Sequence, residues 1–231
     1  MSRILFLITI WFSKFLTLLL KFLGKGSGTA LPGLIAEKLS PGIFAYLADQ
    51  IENVILITGT NGKTTTQTLL GNILIISQKQ VVNNSSGSNL KRGLISTLMQ
   101  RADIKGQIKE KYLIFEIEEA TMPKVVSELN PTQIIVTNLY RDQLDAYGEI
   151  DRTQKFIHEA IKLSPKATVI LNADDPRVSK LTEDLPNQQI ESLIADYQSA
   201  DLSRKFPPSS HRIDAIIHLA GLAAVGPSFD Q

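Results

Sequence analysis

Residues 54–66 read VILITGTNGKTTT, and no other stretch limits so sharply what the chain can fold into. The run Val54-Ile55-Leu56-Ile57 is short, mostly β-branched and unbroken, the pattern of a parallel strand buried on both faces. It breaks into Gly59-Thr60-Asn61-Gly62, and the residues from Thr64 to about Ile76 suit a helix. Strand, Gly-rich loop and helix in that order aim the first N–H groups of the helix at an anion, and the helix dipole adds to the attraction. In such a loop the backbone of Gly59, Thr60, Asn61, Gly62 and Thr65 cradles a phosphate chain, Lys63 reaches the β and γ oxygens, and the Thr64 hydroxyl ligates Mg²⁺. The loop is a variant, because Ile57 stands where the general G-x-x-x-x-G-K-[ST] pattern has glycine. A plain turn that happens to hold Gly, Lys and Thr is the alternative, and the strand before it and the helix after it argue against that.

A chain of 231 residues with 43% hydrophobic and 20% charged residues has the composition of an ordinary globular protein. Its net charge of +1 gives no footing for a nucleic-acid partner. Without cysteine there is no disulfide, no thiolate zinc site and no catalytic thiol, so no zinc is expected. His158, His211 and His218 are not spaced as metal ligands and are expected to be structural or solvent-facing. Four segments follow: a hydrophobic, basic N-terminal helix (1–25), a connector (26–50), the α/β domain (51–190) and a divergent tail (191–231).

Residues 4–23 form the most apolar stretch, and the first 25 residues hold Arg3, Lys14, Lys21 and Lys25 but no acid. A membrane span needs about 20 mainly apolar residues, and Lys14 would sit near its middle. A secretory signal would need a small-residue cleavage site, which is not evident. A helix lying on a membrane surface or on the domain itself accommodates both inner lysines and is the favoured reading. The basic flank sets the following domain on the cytoplasmic side. The connector contains T-A-L-P-G and S-P-G turn signals around a short helical piece.

Three further strands are expected around residues 111–116, 133–138 and 167–171, with a short one at 79–82. The first ends abruptly in Glu116, Glu118 and Glu119, placing carboxylates at the edge where open α/β sheets bind ligands, and Mg²⁺ favours such hard oxygens. After the short strand comes the polar loop N-N-S-S-G-S-N-L, a surface turn by composition. The last strand runs into Asn172-Ala173-Asp174-Asp175-Pro176.

Together these motifs resemble the Mur ligase superfamily, in which ATP activates a carboxylate for amide formation. The resemblance implies a mainly parallel α/β central domain that uses ATP and Mg²⁺. It makes Lys63 and Glu116 the catalytic pair, with Glu116 and Thr64 on the metal and Glu118 and Glu119 at the next acidic positions. Asn172 falls at the adenine side, with Asp174 and Asp175 shaping the loop, and Asn89 faces the acceptor substrate, with Ser88 in place of the usual alanine. Amino-acid-adding members read T-N-x-x-x-D-H-L-D where this chain has Gln143 for the His. The form R-D-Q-L-D-A-Y-G-E, with the T-A-L-P-G lead-in, is similar to the ligase-like MurT subunits of lipid II isoglutaminyl synthase. Gln143 would then be a weak metal ligand through its amide oxygen. The lysine that other members carbamylate has no counterpart: Ile157 and His158 occupy its neighbourhood, and Lys155 is out of register.

That branch implies amidation of D-glutamate in the stem peptide of a lipid-linked peptidoglycan precursor, with ammonia delivered by a glutaminase partner of the GatD kind. Another Mur-type or folylpolyglutamate-type ligase is a rival reading, as is a nucleotide-binding remnant without catalysis. The resemblance covers residues 1–185 and fades from about Gln188. This predicts a central domain cut short before the zinc ribbon and closing domain of the family. Residues 209–231 instead resemble a strand and turn of UDP-glucose 4-epimerases, without that family's glycine loop or catalytic tyrosine and lysine, so epimerase activity is not expected.

Overall fold

The computed structural model describes residues 3–22, 30–84, 89–139, 149–172, 175–182, 184–185 and 189–193. Gln143, Ser88, Asp174, His211, His218 and the epimerase-like stretch lie outside these residues.

Six strands form one sheet, β1 (Asn53–Thr58), β2 (Val81–Asn83), β3 (Tyr112–Glu116), β4 (Gln133–Val136), β5 (Thr168–Asn172) and β6 (Gln189–Leu193), in the order β2-β3-β1-β4-β5-β6. Every neighbouring pair is parallel. The chain leaves β1 towards β2 on one side and leaves β4 towards β5 on the other. Such divergence opens a crevice at the carboxyl ends of two adjacent strands, here β1 and β4.

The unbroken apolar run of β1 is explained by two cores. Val54 and Leu56 face the larger one, shared with Leu113, Phe115, Ile134, Val136 and Val169. Ile55 and Ile57 face the smaller one, with Ile114, Ile135 and Leu70 of α4 (Lys63–Ile76). Alternate residues of a strand point to opposite faces, so only a wholly apolar strand serves both. The larger core is closed by α5 (Lys91–Arg101), α6 (Met122–Leu129) and α7 (Glu149–Lys162).

The segment read as a connector carries two helices, α2 (Ala30–Leu39) and α3 (Ile43–Ala48). Ile43, Phe44, Leu47 and Ala48 are buried in the main core. Its P-G step has a packing reason. A Cβ on Gly33 would stand 1.8 Å from the Arg92 carbonyl oxygen and 2.7 Å from Ser96 Oγ, so glycine lets α2 cross directly over α5. Of the two turn signals, Ser40-Pro41-Gly42 is a turn, whereas Pro32-Gly33 lies in the first turns of α2, where proline is tolerated; the apolar residues have partners that periodicity over so short a span cannot reveal.

The N-terminal helix α1 (Arg3–Phe22) packs one face on this layer. Ile10 is fully buried, and the rings of Phe6 and Tyr46 lie 4.5 Å apart. Polar tethers fix its position: Thr9 Oγ1 to Ser40 Oγ at 2.6 Å, Ser13 Oγ donating to the Pro32 carbonyl, Trp11 Nε1 to the Ile104 carbonyl and Lys14 Nζ to the Gln100 carbonyl. Partial burial lowers the Lys14 ammonium pKa, and Asp103 opposes the effect. The opposite face leaves Phe15, Leu18 and Phe22 exposed. By length and composition α1 could cross a membrane, and the structure lays it along the domain.

Candidate functional site

The loop between β1 and α4 sits at the β1/β4 crevice, and the end of β4 shapes it. Gly59 has φ +123°, and a Cβ there would fall 2.3 Å from Thr137 Oγ1 and 2.8 Å from the Asn138 carbonyl oxygen, so only glycine fits. The Thr60 N–H donates to the Asn138 carbonyl at 2.9 Å, and the Asn61 N–H donates to Asn138 Oδ1 at 2.9 Å. Asn138 Nδ2 and Thr137 Oγ1 donate back to the Asn61 carbonyl at 3.0 and 2.8 Å.

The N–H groups of Thr60 and Asn61 donate to Asn138, so in this structure the two residues set the loop's shape. The donors open to a ligand include the N–H groups of Gly62, Lys63, Thr64 and Thr65, which a helix start cannot pair internally. Gly62 is the N-cap at φ +82°. Thr64 is exposed and Thr65 half-buried at the mouth.

Lys63 folds over the loop. Its ammonium donates to the carbonyls of Gly59 and Thr60 and to Glu119 Oε1, the last at 2.9 Å. Glu119 and Lys63 side chains are only 17% and 19% exposed, so the pair is partly withdrawn from water.

Glu116 ends β3 in register with Ile57, the residue two before Gly59. It is 4% exposed, and its Oε2 is buried with no hydrogen-bond partner. A carboxylate oxygen left without a donor in a dry place is costly, and a hard divalent cation bound there would satisfy it. Among the described residues no three His, Cys, Asp or Glu side chains converge as a self-sufficient metal cage. A cation held by Glu116 would therefore need further oxygens from a ligand and water.

Asn84 fixes this acid and was missed in the sequence. It lies one residue beyond β2, and its amide extends the ladder as backbone would: Oδ1 accepts from the Glu116 N–H at 3.0 Å and Nδ2 donates to the Glu116 carbonyl at 2.9 Å. Gln67 of α4 donates to Asn84 Oδ1 and to the Ile114 carbonyl. Nδ2 of Asn84 also reaches Asn89 Oδ1 at 3.2 Å, bringing the expected acceptor-side residue into the same network. A polar residue immediately after an apolar strand was the available signal, but composition could not separate it from the turn that follows.

Asn172, at the end of β5, is 7% exposed and donates to the Thr137 carbonyl at 3.0 Å. Asp175 shapes its loop as expected. Oδ1 caps the short α8 (Pro176–Ser179) through the Arg177 and Val178 N–H groups, and Oδ2 accepts from the Leu139 N–H at 2.7 Å. His158 is structural as expected, its Nδ1 lying 2.9 Å from the Leu181 carbonyl oxygen. The structure thus brings Lys63, Glu116, Glu119, Asn84 and Asn89 to one edge, with Asn172 and Asp175 on the β4/β5 side.

Residues 57–212 match the profile described as the Mur ligase middle domain. The chain belongs to the Mur ligase family. Within that family it is 40% identical, over 154 residues, to the lipid II isoglutaminyl synthase (glutamine-hydrolyzing) subunit MurT of Staphylococcus aureus (strain COL), a match covering 67% of this chain and 34% of that protein. The chain thus spans about a third of the length of this relative. Among solved structures, MurF from Acinetobacter baumannii superposes with a TM-score of 0.56 at 20% identity, over 68% of this chain and 34% of that one. MurF ligase from Thermotoga maritima in complex with ADP gives 0.53 at 20% identity, over 65% and 34%. At such identity these two establish the Mur ligase fold and no more.

Proposed function

We propose that this domain binds ATP and Mg²⁺ as the nucleotide-binding part of an amide ligase that amidates D-glutamate in a lipid-linked peptidoglycan precursor, with ammonia from a glutaminase partner. The observation that carries the reading is the unpartnered, buried Glu116 carboxylate beside the Lys63 loop at the sheet's switch point. The likeness to the Staphylococcus aureus MurT subunit supplies the substrate class and the partner.

In this reading the first-turn N–H groups of α4 and Lys63 hold the phosphates and stabilise charge on the transferring phosphoryl group. Glu116, Thr64 and the Gln143 amide would hold Mg²⁺, which neutralises phosphate charge when bound. The acceptor carboxylate takes the γ-phosphoryl group and ADP leaves. Ammonia then attacks the acyl carbon, phosphate departs, and a proton is lost to give the amide. Asn89 faces the acceptor side and Asn172 the adenine side. The exposed apolar face of α1, flanked by lysines and free of acids, lies against the cytoplasmic membrane surface where a lipid-linked substrate resides.

Calorimetric titration of the chain with Mg·ATP tests the nucleotide reading. Micromolar-to-millimolar binding is expected, lost in Lys63→Ala while the fold is retained, with a melting temperature lowered by a few degrees because Glu119 and two loop carbonyls lose their donor. Binding that survives Lys63→Ala unchanged would overturn the phosphate-loop assignment. Amidation of the precursor, assayed with glutaminase added, then tests the substrate.

A further inference from the structure

We infer that Glu119 is a positioning residue that holds the Lys63 ammonium on its own loop until the polyphosphate of a nucleotide displaces it. The inference rests on the nucleotide reading above. A lysine ammonium has three N–H donors, and three acceptors of this chain meet it: the Gly59 carbonyl, the Thr60 carbonyl and Glu119 Oε1. The ammonium is therefore satisfied before any ligand arrives, and a phosphate can be bound by Lys63 only by replacing one of these partners.

Glu119 is the partner whose displacement matters most. The two carbonyls belong to the loop that Asn138 straps in place and cannot retreat from the site. Glu119 opens the short 3₁₀ turn Glu119–Thr121 between β3 and α6, so it reaches Lys63 from a separate segment. Its charge lies 2.9 Å from the ammonium in a site with restricted access to water, where it neutralises the cation and repels an incoming polyanion. Glu118, its neighbour, is exposed and forms no part of this contact. The arrangement keeps Lys63 in a defined position and sets an electrostatic cost that is met only by a ligand whose phosphates reach the lysine, that is, a di- or triphosphate; a monophosphate that stops short of it is indifferent to Glu119.

The test is calorimetric affinity for ATP, ADP and AMP in the parent, Glu119→Gln and Glu118→Gln, with and without Mg²⁺, beside melting temperatures. Glu119→Gln keeps the shape and removes the charge, so ATP and ADP are expected to bind about fivefold more tightly, with AMP and the melting temperature unchanged and Glu118→Gln like the parent. Unchanged or weaker ATP binding in Glu119→Gln overturns the inference. A weakening confined to Mg²⁺-containing buffer would make Glu119 a metal ligand instead. A general weakening with a lowered melting temperature would make it a structural residue. If the parent binds no nucleotide at all, the nucleotide reading fails, a result distinct from a binding parent whose affinity Glu119→Gln leaves unmoved.

Discussion

At the carboxyl edge of the sheet, Lys63, Asn84 and Asn138 each meet two or more partners, whereas along the outer face of α1, Phe15, Leu18 and Phe22 stand 62%, 66% and 88% exposed. Both regions face outward from the same core, yet the polar one is closed upon itself and the apolar one is open. A buried polar group must be paired wherever it sits, so its neighbours reveal its task. An apolar surface carries no such record, and only what it lies against gives it meaning.

Breaking the polar side has the larger consequences. Lys63→Ala should weaken Mg·ATP binding by about a hundredfold or more, through loss of charge-assisted contacts to phosphate, and lower the melting temperature by a few degrees as Glu119 and the loop carbonyls lose their donor. Next comes Asn84→Ala, which strands the buried N–H and carbonyl of Glu116. It should cost about 2–4 kcal/mol of stability, read by urea unfolding, and a neutral result would show that the network around Glu116 is dispensable.

The apolar side should respond in the opposite sense, with binding changed and folding spared. Replacing both Phe15 and Leu18 by Glu should cut co-sedimentation with anionic phospholipid vesicles by about tenfold and leave the melt unaltered. If vesicle binding persists, or if the parent instead dimerises in a concentration-dependent way through this face, the membrane reading falls.

The smallest effect is expected at Lys91, which bridges Glu37 at 2.7 Å and Glu128 at 2.5 Å on the layer under α1. Burial alone would lower its pKa, but the hydrogen bonds and charges of Glu128 and Glu37 outweigh it and raise the value above the ordinary 10.5. A raised lysine pKa stabilises the fold fully below the unfolded value, and the contribution is lost as pH climbs through the folded one. Lys91→Met should therefore cost about 1 kcal/mol or less near neutral pH, given partial exposure, and remove part of the parent's loss of stability under strongly alkaline conditions, measured by denaturant midpoints against pH.

Much of the edge was legible residue by residue. The VILI run, the GTNGKT loop and the acids after β3 declare themselves because strand burial, helix N-termini and metal chemistry each restrict which side chains serve. Asn84 and Asn138 were not legible as clamps, since an asparagine beside a loop has the same composition whether it faces water or a neighbouring strand. Their partners, Glu116 and Asn61, lie 32 and 77 residues away along the chain. Residues 26–50 show one short helical piece in the sequence, and the packing of α2 and α3 is not legible for a related reason: each is short, and their fit depends on α5 and the main core.

The sequence by itself determined the strand, loop and helix around Lys63, the parallel α/β character and the kinship, because these rest on local pattern and residue type. Only the tertiary structure decided that Asn138 takes the Thr60 and Asn61 donors, that Glu119 occupies Lys63, that Glu116 keeps an unpaired buried oxygen and that α1 lies along the domain. Each of these depends on which distant segments are brought within hydrogen-bonding or packing distance, and short-range periodicity carries no information about that.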